Sequence, residues 1–118
     1  MTNISVIGFG KMAQAIFLPQ LKESQSFFSL SVVELNEAVV SEFKHHPSIK
    51  FVSLSEAISN SDILFIGIKP QQSQSLFSEL TKLDLNGKTL VSIMAGVTTT
   101  QMASSLGNTL SFIRLMPN

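Results

Sequence analysis

Residues 6–15 read VIGFGKMAQA, Val6 to Ala15, a glycine-punctuated turn lying between an apolar strand and an apolar helix. Gly8 lets the chain turn tightly out of the strand. Gly10 has no side chain to hold a pyrophosphate away from the backbone. Ala13, at the third position of the G-x-G-x-x-A pattern, is small enough for the helix to pack closely on the strand. The free N–H groups of the helix start then face the phosphates, aided by the helix dipole. The pattern alone also arises in ordinary structural turns. Its context separates the two readings: it follows the strand-like run NISVIG and precedes the helical apolar run Met12, Ala13, Ala15, Ile16.

Strand and helix patterns alternate along the rest of the chain. Strands are expected at Asn3 to Ile7, Ser29 to Val33, Lys50 to Val52, Asp62 to Ile68, Thr89 to Met94 and Leu110 to Ile113. The first helix is expected to reach about Lys22, with Pro19 kinking it or ending it early. Asn36 is placed to cap a helix through about His45, which Pro47 stops, and Ser55 to cap a short helix through Ser59. Further helices are expected over Gln71 to Leu83 and Thr98 to Leu106, with Asn86-Gly87 and Gly107-Asn108 as breaks. The run DILFIGI is apolar throughout after Asp62, as a central strand covered on both faces must be. Six strands with intervening helices predict an α/β, Rossmann-like doubly wound parallel sheet, ordered 3-2-1-4-5-6.

In such sheets ligands lie at the carboxyl ends of the strands. Four of those ends carry unusual residues. The second strand leaves through Glu34-Leu35-Asn36, about 24 residues past Gly10. A carboxylate there accepts hydrogen bonds from an adenosine ribose and repels a 2′-phosphate; the alternative is a solvated loop acid. The fourth leaves through Gly67-Ile68-Lys69-Pro70, a rigid loop on which a nicotinamide fits. Lys69 reads either as a partner of phosphate or substrate or as a solvated lysine. The fifth leaves through Ser92-Ile93-Met94-Ala95-Gly96, small residues that let a flat ring approach the backbone, or a plain turn. The sixth leads into Arg114-Leu115-Met116-Pro117-Asn118.

Composition narrows the function. The chain has 118 residues, enough for one domain, and its formal charge balances to zero, which offers no electrostatic footprint for nucleic acid or an anionic membrane. Only 14% of residues are charged, against a usual level of about 25%, so part of the surface is expected to be covered by another domain or a partner. Cysteine is absent, which excludes disulfides and thiolate metal sites and fits the cytoplasm. No metal site is expected: His45 and His46 are adjacent, and adjacent helical residues point about 100° apart. Phe17, Phe43, Phe65 and Phe77 are spaced as core residues, whereas Phe9, inside the turn, is either a cofactor neighbour or a packing residue.

Taken together, IGFGKMAQAI (Ile7 to Ile16), IKP (Ile68 to Pro70), SIMAGVT (Ser92 to Thr98) and RLMPN (Arg114 to Asn118) resemble pyrroline-5-carboxylate reductase over essentially the whole chain, as that family's N-terminal domain. The resemblance implies NAD(P)H-dependent reduction of 1-pyrroline-5-carboxylate to L-proline in the cytoplasm. It implies phosphate binding by Gly8, Phe9, Gly10, Lys11, Met12 and Ala13, ribose contacts near Glu34 and Asn36, and nicotinamide contacts along Gly67, Ile68, Lys69 and Pro70 and along Met94, Ala95 and Gly96. The family favours NADPH with neutral or basic residues after the second strand, so Glu34 is a departure toward NADH, and the cofactor is NADP or NAD. Leu54 is a second departure, standing where members often have a polar residue near the ribose.

Length is the third departure. Family members continue past Met-Pro-Asn into a helical domain that dimerises and supplies much of the substrate pocket. Residues 1–118 correspond to the dinucleotide-binding domain alone, so the catalytic residues are expected mainly outside this chain. It is expected to bind nucleotide and to reduce little by itself, the full-length enzyme being a homo-oligomer. Two other readings stand beside this one: another NAD(P)-dependent oxidoreductase of the β-hydroxyacid dehydrogenase type, and a non-enzymatic nucleotide-binding module.

Overall fold

A computed structural model describes residues 2–21 and 28–116. Six strands, β1 (Thr2–Ile7), β2 (Phe28–Val33), β3 (Ile49–Phe51), β4 (Ile63–Ile66), β5 (Thr89–Ser92) and β6 (Ser111–Arg114), form one sheet in the order β3-β2-β1-β4-β5-β6. Every neighbouring pair is parallel. The helices are α1 (Lys11–Leu21), α2 (Glu37–Phe43), α3 (Leu54–Asn60), α4 (Ser73–Leu80) and α5 (Thr99–Leu106), and a 3-10 turn at Pro70–Gln72 leads into α4. The expected doubly wound architecture and strand order are the observed ones.

Alternation along each strand sends side chains into two separate cores. On one face Ile7, Leu64, Ile66, Leu90 and Met94 pack with Ile58, Phe77, Leu80 and Met102 from α3, α4 and α5. On the other, Val6, Leu30, Val32 and Phe65 pack with Ala13, Phe17 and Leu21 of α1 and with Phe43. Phe17 meets Phe65 edge to face at 4.9 Å. β4 contributes to both cores, as the continuous apolar run requires. Ser5, fully buried on β1, satisfies its hydroxyl against Ser61 and the Ala57 carbonyl, which ties the strand to α3.

The element boundaries differ from expectation where local polar groups intervene. Ser53, not Ser55, caps α3: its hydroxyl accepts from the Glu56 N–H at 3.2 Å while the Glu56 carboxylate reaches back to Ser53, a capping box. Ser55 lies exposed inside the helix. α2 stops at Phe43, before His45; the His46 N–H turns back to the Phe43 carbonyl ahead of Pro47. α4 ends at Leu80 rather than Leu83 and begins as a tighter turn, because Pro70 opens it. β5 ends at Ser92 because its hydroxyl takes the Met94 N–H at 3.0 Å and bends the chain off the sheet. β4 is confined to Ile63–Ile66, and β6 lies one residue later than expected. α1 runs two residues beyond Pro19, which it accommodates in its last turn; Lys22 lies outside the described residues.

Candidate functional site

The exits of β1 and β4 meet at the centre of the carboxyl edge. Gly8 has φ +92°, and a Cβ there would lie 2.7 Å from the Ile68 Cγ2 and 2.9 Å from the Ile68 nitrogen. A Cβ on Gly67 would lie 2.7 Å from the Gly8 oxygen and 3.5 Å from the Ala13 Cβ. Both glycines are therefore required by close backbone approach within the fold. Ala13, buried, is the small helix residue that this approach needs.

Gly10 is different. It is exposed, and a Cβ added to it would meet nothing within 4 Å. No contact among the described residues requires glycine there, so the space beside it is free to take a ligand. The first helical bond of α1 runs from the Gln14 N–H to the Gly10 carbonyl at 2.9 Å. That leaves the N–H groups of Lys11, Met12 and Ala13 without partners inside the helix. The first turn carries no acidic residue, and Lys11 and Met12 are exposed. Donors, positive dipole end and open space coincide, which is what a pyrophosphate requires.

Phe9 is a packing residue: its ring is fully buried and meets Phe43 edge to face at 5.3 Å. Its N–H donates to the Glu34 Oε1 at 2.6 Å, while the Glu34 Oε2 accepts the Asn36 N–H at 2.9 Å. Glu34 is thus neither a solvated loop acid nor a free one. It ties the glycine turn to the β2 exit, with further lone pairs on each oxygen for a ribose hydroxyl. Asn36 caps α2 as expected, its Oδ1 accepting from the Ala38 N–H at 3.0 Å.

Beside Glu34 opens a cavity of about 590 Å³ with apolar walls from Val33, Leu35, Leu54, Ile68 and Leu76, and with Gln71, Gln72 and Glu79 at its rim. Leu35 is 91% exposed, an apolar side chain at the mouth of this cavity. Leu54, the residue that departs from the family's polar pattern, is part of the wall. A polar hollow of similar size, about 610 Å³, lies between Asn3, Ser31, Lys50, Asp62 and Lys88. It sits toward the amino ends of the strands, away from the glycine turn.

The remaining expected residues fall along the same edge. Ile68 lines the cavity, Lys69 is exposed, and Pro70 opens the 3-10 turn. The Met94 side chain is buried in the core at 2% exposure, so only its backbone faces the edge, whereas Ala95 and Gly96 are exposed. Pro117 and Asn118 lie outside the described residues. Among the described residues no group of three or more His, Cys, Asp or Glu is placed to hold a metal, and no helix is long and apolar enough to cross a membrane.

One residue that sequence reading named at the fifth strand's exit and one that it missed support the site. Ser92 shapes the β5 exit, and Gln14, 9% exposed, donates from Nε2 to the Phe9 carbonyl at 2.9 Å. Gln14 carried a signal: it stands three and seven residues before Phe17 and Leu21, on the buried stripe of α1.

Residues 3–96 match the family model described as NADP oxidoreductase coenzyme F420-dependent. The pyrroline-5-carboxylate reductases of Pasteurella multocida and Haemophilus influenzae are 29% and 30% identical to this chain, each over 98% of it, covering 44% and 42% of their own lengths. The solved structure of a pyrroline-5-carboxylate reductase from Coxiella burnetii superposes with a TM-score of 0.88 at 25% identity, over 99% of this chain and 44% of that one. The chain thus spans less than half the length of the relatives it matches.

Proposed function

The chain belongs to the family of coenzyme F420-dependent NADP oxidoreductases, and from that footing we propose that it is the dinucleotide-binding part of a pyrroline-5-carboxylate reductase. The observation that carries the reading is Gly10, a glycine that no contact among the described residues explains, set at the N-terminus of α1. Similarity to reductases of that name along nearly the whole chain supports the substrate.

In this reading Gly8 and Gly10 keep the turn low, and the N–H groups of residues 10–13 donate to the pyrophosphate. Glu34 accepts from the adenosine ribose with lone pairs left over from its two backbone bonds. Asn36, capping α2 beside it, borders the ribose. The apolar wall of Val33, Leu54, Ile68 and Leu76 covers the adenine. The loops 67–70 and 94–96 hold the nicotinamide over the strand ends, with Met94 acting through its backbone. When bound, the dinucleotide supplies the hydride that reduces the C=N carbon of the cyclic imine. The chain's own residues orient it and exclude water from one side.

A carboxylate at Glu34, with Glu79 lining the same cavity and no basic side chain among the described residues that line it, favours NADH over NADPH. The groups that bind and protonate the imine, and the surface that forms a homo-oligomer, are assigned to the part of the relatives' length that this chain does not span. The cytoplasm is the compartment that fits a cysteine-free chain acting on a soluble metabolite. Calorimetric titration with NADH and NADPH tests the reading. Binding of NADH, tighter than NADPH, with no turnover of pyrroline-5-carboxylate by residues 1–118 alone, is expected. Absence of binding to either nucleotide defeats it.

A further inference from the structure

Three contacts grip Phe9. Its ring is held against Phe43, its N–H by the Glu34 carboxylate, and its C=O by the side-chain amide of Gln14. The third has a consequence for the next residue. Across a planar trans peptide, C=O and N–H point in opposite directions. Holding the Phe9 oxygen toward α1 therefore aims the Gly10 N–H the other way, outward. No acceptor among the described residues takes that N–H. On that geometry, we infer that Gln14 is a positioning residue for phosphate binding: it fixes the Phe9–Gly10 peptide so that the Gly10 N–H is presented to an anionic pyrophosphate. The inference rests on the dinucleotide reading of the turn.

The chemistry favours this role over a purely structural one. A glutamine on the buried stripe of a helix loses side-chain freedom and hydration, and an apolar residue of similar size fits the same stripe with Phe17 and Leu21. What glutamine adds is a donor long enough to reach back over a turn to a carbonyl in the loop. Without it, the Phe9 carbonyl is free to rotate toward solvent and carry the Gly10 N–H inward. The peptide then has to be turned back each time a phosphate binds.

The test compares a ligand that has the pyrophosphate with one that lacks it. In Gln14→Met, which keeps the volume and loses the donor, NADH affinity is expected to fall about tenfold while adenosine affinity stays unchanged. Unchanged NADH affinity, or equal losses for both ligands, overturns the inference. A measurement on the unaltered protein guards against a variant that fails to fold. The Gly10 amide resonance is expected to shift on adding NADH and to stay in place on adding adenosine; a Gly10 amide indifferent to NADH overturns the inference as well. If the unaltered protein binds neither NADH nor NADPH, the dinucleotide reading itself falls, which is a distinct result from a binding protein whose Gln14 does not matter.

Discussion

The carbonyl oxygen of Gly8 lies 2.7 Å from where a Cβ on Gly67 would stand, so the exits of β1 and β4 touch backbone to backbone. The two strands are neighbours at the centre of the sheet, where the strand order reverses direction. Glycine in this chain therefore has two separable meanings, and substitution separates them.

Gly67→Ala inserts a methyl group against a backbone oxygen, which has no rotamer with which to yield. The expected cost is about 1–3 kcal/mol of stability, by analogy with other overpacked sites. Urea titration measures it, and a midpoint equal to that of the unaltered protein would show that the strand exits are not locked together as described.

Gly10→Val puts its side chain into open space. Stability is expected to fall by no more than about 1 kcal/mol, the cost of a poorer residue at the position whose carbonyl accepts the first bond of α1. NADH affinity is expected to fall by at least about tenfold, because the side chain occupies the room beside the helix start. Calorimetry with retained affinity would remove Gly10 from the site.

Glu34→Gln replaces one carboxylate oxygen by an NH2 group that must face the N–H of either Phe9 or Asn36, donor against donor. A loss of about 1–3 kcal/mol is expected, toward the lower end because the site is only partly buried. The same change removes the charge that opposes a 2′-phosphate, so the NADH-to-NADPH affinity ratio should move toward one. An unaltered ratio would assign Glu34 to holding the loop alone.

Ser53→Ala breaks the capping box of α3 and is expected to cost about 1 kcal/mol, whereas Ser55→Ala, inside the helix and exposed, should be nearly neutral. Thermal melting of the two variants distinguishes them, and equal shifts would point to a cap at neither residue.

The alternation of elements, the order of the strands and the candidate phosphate turn were all legible in the amino-acid order. Each rests on a local property: the period of apolar residues, the punctuation by Gly and Pro, and handedness rules that leave few ways to wind such a pattern. Legibility failed where two polar groups compete for one role. Ser53 and Ser55 both precede an apolar run, and only Ser53 has a glutamate three residues on. The side chain of Met94 was not legible either: the alternation of β5 continues beyond its last residue and turns that side chain into the core.

By itself, then, the order of residues determined which segments become strands and helices and where a glycine turn meets the start of a helix, because those depend on neighbours within a turn or two. Tertiary structure alone decided the roles of Glu34, Phe9, Gln14 and Gly67. Their partners come from other segments or lie across the loop: a carboxylate meeting a backbone N–H 25 residues away, a ring finding Phe43, an amide reaching back to a loop carbonyl, a glycine facing another strand's oxygen. A polar atom or a gap is satisfied by whatever the closed sheet brings to it, and no local pattern records what that will be.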